Sequence, residues 1–109
     1  MAKVYIPAVP TRYDAVTKTR IPSLDLNQAE HFGQLVNLIQ EPEGMSLEEK
    51  LDYLDDACEQ ITEDDYILAV GDLVLLAATM LFVHDRLGKV KLLRWDRKKQ
   101  EYYSMEVEL

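Results

Sequence analysis

The stretch 66-YILAVGDLVLLAATMLFVHDRLGKVKLLRWD-96 decides how this chain folds. Ile67, Leu68, Ala69 and Val70 form a short apolar run behind Glu63, Asp64 and Asp65. A run of this length without polar alternation suits a strand buried on both faces. Gly71 interrupts it. Asp72 is then placed to cap a helix, because its carboxylate can accept from the unpaired amides of the first turn. The eleven residues from Leu73 to Val83 carry no charge and one hydroxyl, Thr79. An apolar circumference of that kind predicts a core helix over 73–87. Gly88 suits the left-handed position that closes a helix, and Val90 to Trp95 is the next strand. If the two strands share a sheet and run parallel, the crossover between them is right-handed.

A membrane-spanning reading of the same stretch fails on one residue. Tyr66 to Val83 is eighteen residues, close to the roughly 20 that cross a bilayer. Asp72 lies near its middle, where a carboxylate costs about 2.5–3.5 kcal/mol on insertion scales.

Working outward, residues 41–65 hold eleven acids and one base, Lys50, so this segment carries −10 while the whole 109-residue chain carries −8. Ser46 and Glu49 have the spacing of a capping box. Leu47, Leu51, Leu54, Cys58 and Ile61 then form a narrow apolar stripe. The predicted helix over 47–61 exposes Glu48, Glu49, Asp52, Asp55, Asp56 and Glu59. Upstream, Asn27 and Glu30 also have capping-box spacing, and Ala29, Phe32, Leu35, Val36 and Ile39 fall on one helical face. That pattern predicts a helix over 28–40, with Gly33 marking a close helix crossing. Ser23 to Leu26 leads into it. Residues 1–25 are extended and broken by prolines. Val4 and Ile6 read as an edge strand, since Pro7 and Pro10 cannot donate to a ladder. Tyr13 to Arg20 reads as a loop or a weak hairpin.

Downstream, residues 86–99 carry seven bases against Asp96. Arg97 to Gln100 is a polar turn. Glu101 to Leu109 alternates, with Tyr103, Met105, Val107 and Leu109 on one side, as a half-exposed strand antiparallel to Val90–Trp95 does. These elements sum to one α+β domain spanning 1–109. It has a small mixed sheet of three to four strands packed with three helices, a central β-α-β unit at 66–96 and a C-terminal β-hairpin. Hydrophobic content of 48% and charged content of 29% are those of a globular domain. A single cysteine excludes an internal disulfide, which fits a reducing cytoplasm, and the first residues lack the apolar core of a signal peptide.

Chemistry-bearing residues are sparse. His31 and His84 show no zinc-ligand spacing. His31 reads as a surface residue and His84 as a partner for a helix C-terminus. Cys58 lies among carboxylates on an apolar stripe, where both burial and charge oppose a thiolate. Asp72 sits at a strand end, where open parallel sheets place ligands. No second polar group identifies itself as its partner, so the helix cap is the simpler reading. Glu63 to Asp65 is too short for a calcium loop. No metal or cofactor is implied.

Two charged surfaces remain. The acidic helix can recognise a protein partner through Glu48, Glu49, Asp52, Asp55, Asp56 and Glu59, or imitate a phosphate backbone. The basic hairpin, with Arg94, Trp95, Arg97, Lys98, Lys99 and Tyr102, interleaves charge and aromatic rings as single-strand binders do. Paired with each other, the two surfaces could also drive homo-oligomers.

The opening VYIPAVPTRYD, the middle DYILAVGD with its Ala-rich apolar helix, and the closing LLRWDRKKQEYYSMEV resemble small uncharacterised proteins of tailed bacteriophages. The resemblance covers most of the chain. It implies expression in the cytoplasm of an infected bacterium and brings no catalytic residue with it. The leading expectation is a non-enzymatic accessory or regulatory protein that binds a host or phage protein through the acidic helix. The alternatives are a nucleic-acid-binding module using the basic hairpin, a virion structural component, and a small enzyme using Asp72.

Overall fold

A computed structural model describes residues 2–22, 26–40 and 42–108. Among the described residues seven strands are formed: β1 (Lys3–Ile6), β2 (Thr11–Asp14), β3 (Thr19–Pro22), β4 (Gln34–Asn37), β5 (Tyr66–Leu68), β6 (Val90–Asp96) and β7 (Glu101–Val107). The two α-helices are α1 (Leu47–Ala57) and α2 (Leu73–Leu87). Short 3₁₀ helices cover Asn27–Phe32 and Cys58–Gln60. The main sheet has the order β4-β1-β5-β6-β7. Its first four members are mutually parallel, and β7 closes it antiparallel to β6. β2 and β3 pair separately as a hairpin.

The α+β class, the β-α-β unit and the C-terminal hairpin are those the sequence predicts. The helix over 73–87 has the expected bounds, with Asp72 capping its start and Gly88 left-handed at its end. β5 is the central strand and is buried on both faces. Ile67 packs under the helices, and Leu68 packs on the opposite side.

Several expectations are corrected. The helix predicted over 47–61 is α-helical only to Ala57, continues as the 3₁₀ turn Cys58–Gln60, and Ile61 is already extended. Residues 28–40 do not form an α-helix but a 3₁₀ helix followed by β4, so the main sheet gains a strand. Gly33 stands where the two elements meet. A Cβ there would lie 2.3 Å from the Ala2 carbonyl oxygen, so it marks a close approach to the start of β1 rather than a helix crossing. Asn27 is the first residue of the 3₁₀ helix, not its cap. Val4 to Ile6, read as an edge strand, lies between β4 and β5 and is fully buried. Its four-residue length lets Pro7 end it before a missing donor would matter. The ladder continues through Leu38 N–H to Ile6 O at 2.8 Å and Ile39 N–H to Pro7 O at 3.0 Å. The hairpin at Tyr13–Arg20 forms. The lead-in residues Ser23–Asp25, and Leu109 at the end of the last strand, lie outside the described residues.

One face of the sheet packs Tyr5, Ile67, Val90 and Leu92 against Leu54, Leu75 and Val83 of the two helices. The other packs Val4, Ile6, Leu68 and Leu93 against Ala29 and Tyr102. Among the described residues no helix is long and apolar enough to cross a membrane.

Candidate functional site

The acidic face is built by α1 and the 3₁₀ turn that follows it. Ser46 and Glu49 form the capping box that starts it, with Glu49 N–H to Ser46 Oγ at 3.1 Å and Ser46 N–H to Glu49 Oε1 at 3.3 Å. Leu54, Cys58 and Ile61 turn inward and fix the rotation of the segment. Arg86 on α2 donates to the carbonyls of Cys58 and Ile61, so a guanidinium ties down the carbonyl end of this segment. Held that way, Glu48, Glu49, Asp52, Asp55, Asp56 and Glu59 are all exposed. The five on α1 occupy an arc of about 120° opposite Leu54 on an ideal helix, and Glu59 follows on the 3₁₀ turn. None of the six enters a salt bridge among the described residues. Glu49 alone has a second task, in the capping box.

The border of this arc is not purely polar. Tyr53 is 49% exposed and lines a hollow of about 380 Å³ with Ile39, Gln40 and Met45. Tyrosine is among the residue types enriched at protein–protein interfaces. Sequence reasoning missed Tyr53, whose neighbours at helical spacing on α1 are Glu49, Lys50, Asp56 and the small Ala57.

The basic hairpin is less concentrated than its composition implies. Arg86 is committed to α1. Lys89 Nζ meets Glu106 at 3.5 Å. Lys91 Nζ lies 4.3 Å over the Tyr66 ring and donates to Asp64 O at 3.2 Å. Arg94, Arg97, Lys98 and Lys99 are exposed. Trp95 and Tyr102 stack edge-on at 4.9 Å, on the face opposite the helices, and Tyr102 is buried. The two rings therefore cover the sheet, and only part of Trp95 is presented to solvent.

Asp72 caps α2 through Oδ1, which accepts from Val74 N at 2.8 Å and Leu75 N at 3.2 Å. It also lines a crevice of about 470 Å³ with Pro10, Thr11, Arg20, Glu43 and Lys50. The crevice opens where β1 and β5 end, and their onward connections lead to opposite sides of the sheet, which is where parallel sheets hold ligands. Arg20 is engaged within it. Arg20 Nε lies 3.2 Å from Glu43 Oε1 and 2.8 Å from Thr11 Oγ1. Lys50 and Asp72 complete the charged part of its lining.

Cys58 is buried, and that burial pushes its thiol up to about 11; Asp55 adds to the rise and Arg86 opposes it. A neutral buried thiol is not a nucleophile. Among the described residues no group of three or more His, Cys, Asp or Glu is placed to hold a metal ion.

Fold and surface together define a small α+β protein with a mixed five-stranded sheet and one sharply acidic helical face. The chain belongs to the Phage Pam3 gp32-like protein family, whose model matches residues 2–109. The resemblance to small phage proteins in the sequence is thus a family membership. No curated protein and no solved structure matches the chain.

Proposed function

We propose that this phage protein is a non-enzymatic accessory or regulatory protein that binds a basic surface of a phage or host protein through α1. The observation that carries the reading is the placement of Glu48, Asp52, Asp55, Asp56 and Glu59. All are exposed, and none is in a salt bridge among the described residues. Charge of one sign, left unneutralised on a rigid helix, speeds encounter with an oppositely charged partner and rejects acidic ones. Tyr53 and its hollow supply the apolar anchor that charge alone lacks. The basic turn is the weaker surface for a polyanion, because Tyr102 is buried and the net charge of −8 repels phosphate.

The test is affinity purification of the tagged full chain from phage-infected cells, beside a variant with Glu48, Asp52, Asp55, Asp56 and Glu59 changed to Lys. Glu49 is left in place to keep the capping box. Wild type is expected to retain a partner at low salt and lose it as salt rises, and the reversed variant to retain none. A partner held equally by the reversed variant overturns the proposal. Tyr53→Ala is expected to weaken the same complex without changing its salt dependence.

A further inference from the structure

α2 does not bury its whole apolar circumference. Leu75, Thr79 and Val83 face the core. The opposite side carries Leu73 at 78%, Val74 at 52% and Leu81 at 64% exposure, with Ala77 exposed between them. A solvent-facing helix surface normally carries charge, and here there is none from Leu73 to Val83. The stripe continues into a groove of about 230 Å³ between Ala77, Met80, Leu81 and His84 on the helix and Val90 and Val107 on the sheet. β7 is the outermost strand. Met105, two residues from Val107 and so on the same face of β7, extends the apolar surface and is exposed.

We propose that this surface is the interface of an isologous homodimer, in which α2 crosses the α2 of a second copy antiparallel about a two-fold axis at Ala77. The sequence of the stripe favours a second copy over an unlike partner. Leu73 and Leu81 lie four residues either side of Ala77, and Val74 and Met80 lie three either side. A two-fold axis requires a patch that matches itself. An axis at Ala77 sets Leu73 against Leu81 of the second copy and Ala77 against its equivalent, where the small side chain permits close approach. The charge map agrees. The acids of this −8 chain are concentrated before α2, and the described residues of α1 contribute nothing to the groove. The acids of α1 therefore do not line the groove of the proposed contact, where juxtaposed like charges would be costly. Area sets the extent. A standard interface takes about 800 Å² per partner, against a total surface here of 7197 Å². The proposed interface takes in the groove and the outer strand at Val107 and Met105 beside the helix stripe.

The test is sedimentation velocity on the full chain at about 5 and 100 µM, for wild type, Leu81→Glu and Ala77→Cys. Wild type is expected to be dimeric at the higher concentration. Leu81→Glu should be monomeric with an unchanged far-UV spectrum, since Leu81 lies outside the core. Ala77→Cys should form an intermolecular disulfide on mild oxidation, while Glu59→Cys should not. A wild type that stays monomeric at 100 µM overturns the proposal and leaves the stripe to an unlike protein. A dimer unaffected by Leu81→Glu overturns it too, by placing the contact elsewhere.

Discussion

The Asp65 carboxylate accepts the backbone N–H of Lys3 at 2.9 Å across 62 positions of sequence. Its other oxygen accepts from Thr62 N at 2.8 Å and Thr62 Oγ1 at 3.1 Å. One buried side chain thus shapes the turn before β5 and anchors the first residue of β1 beside it. Replacement by Ala leaves two backbone amides without acceptors, at about 1–3 kcal/mol each where water cannot reach. Asp65→Ala is expected to lose about 2–4 kcal/mol by urea denaturation, and Asp64→Ala next to it, exposed, close to nothing. Equal losses for the two would sink this account.

That contrast shows what the sequence could and could not say. Glu63, Asp64 and Asp65 read as one acidic patch, because nothing local distinguishes the carboxylate that turns inward. The partner is Lys3, and a contact spanning most of the chain leaves no periodic trace. The β-α-β unit was legible for the opposite reason. Its strand, cap, apolar helix and closing Gly88 are all local signals, and they agree with one another. The six acids of residues 48–59 were legible as an exposed face because Leu54, Cys58 and Ile61 fix which side is buried, although Leu47 at the head of the same stripe is exposed. β4 was not, because four residues are too few for a period of two to outweigh the helical spacing of Phe32, Val36 and Ile39. The apolar circumference of α2 was legible, but its full burial was not, since a core helix and a helix awaiting a partner have the same composition.

Gly33 is expected to be the least replaceable glycine. A Cβ there meets the Ala2 carbonyl at 2.3 Å, whereas at Gly44 nothing lies within 4 Å. Gly44 has φ +85°, so Gly44→Ala carries only the left-handed penalty of about 1–2 kcal/mol. Gly33→Ala must in addition push β4 away from β1 or displace residue 2, and overpacking of that kind costs about 1–3 kcal/mol more. Thermal melts should separate the two variants by about 4–8 °C per kcal/mol. A Gly33→Ala melt at or above that of Gly44→Ala would show that the chain relaxes freely there.

Arg86 links α2 to the carbonyl end of the α1 segment through Cys58 O and Ile61 O. Arg86→Met keeps most of the apolar stem and removes both donors. Charge-assisted bonds of this kind contribute about 1.5–3 kcal/mol each before water replaces them. A loss of about 2 kcal/mol is expected, with hydrogen exchange rising first at residues 58–61. The acidic face would lose its fixed orientation, so partner capture should weaken even though no acid has changed. Unchanged protection at 58–61 would mean that Arg86 is not what holds this end.

Cys58 should give the fold a weakness in alkali. Burial raises its thiol from 9.0 to about 11, so between those values the folded chain keeps a proton that the unfolded chain has released. Stability then falls as pH rises through this window. Below pH 9 both states hold the proton and the effect vanishes. Tyr5, raised first by burial and then by Asp65, acts with the same sign. The Cys58 share is separated by comparing wild type with Cys58→Ala in urea at pH 8 and pH 10.5. The cavity left by Ala lowers stability at both pH values and cancels in the difference. Wild type is expected to lose on the order of 1 kcal/mol more than Cys58→Ala between them. Identical pH slopes would show that the thiol titrates in the folded chain as it does in the unfolded one, and that its surroundings admit water.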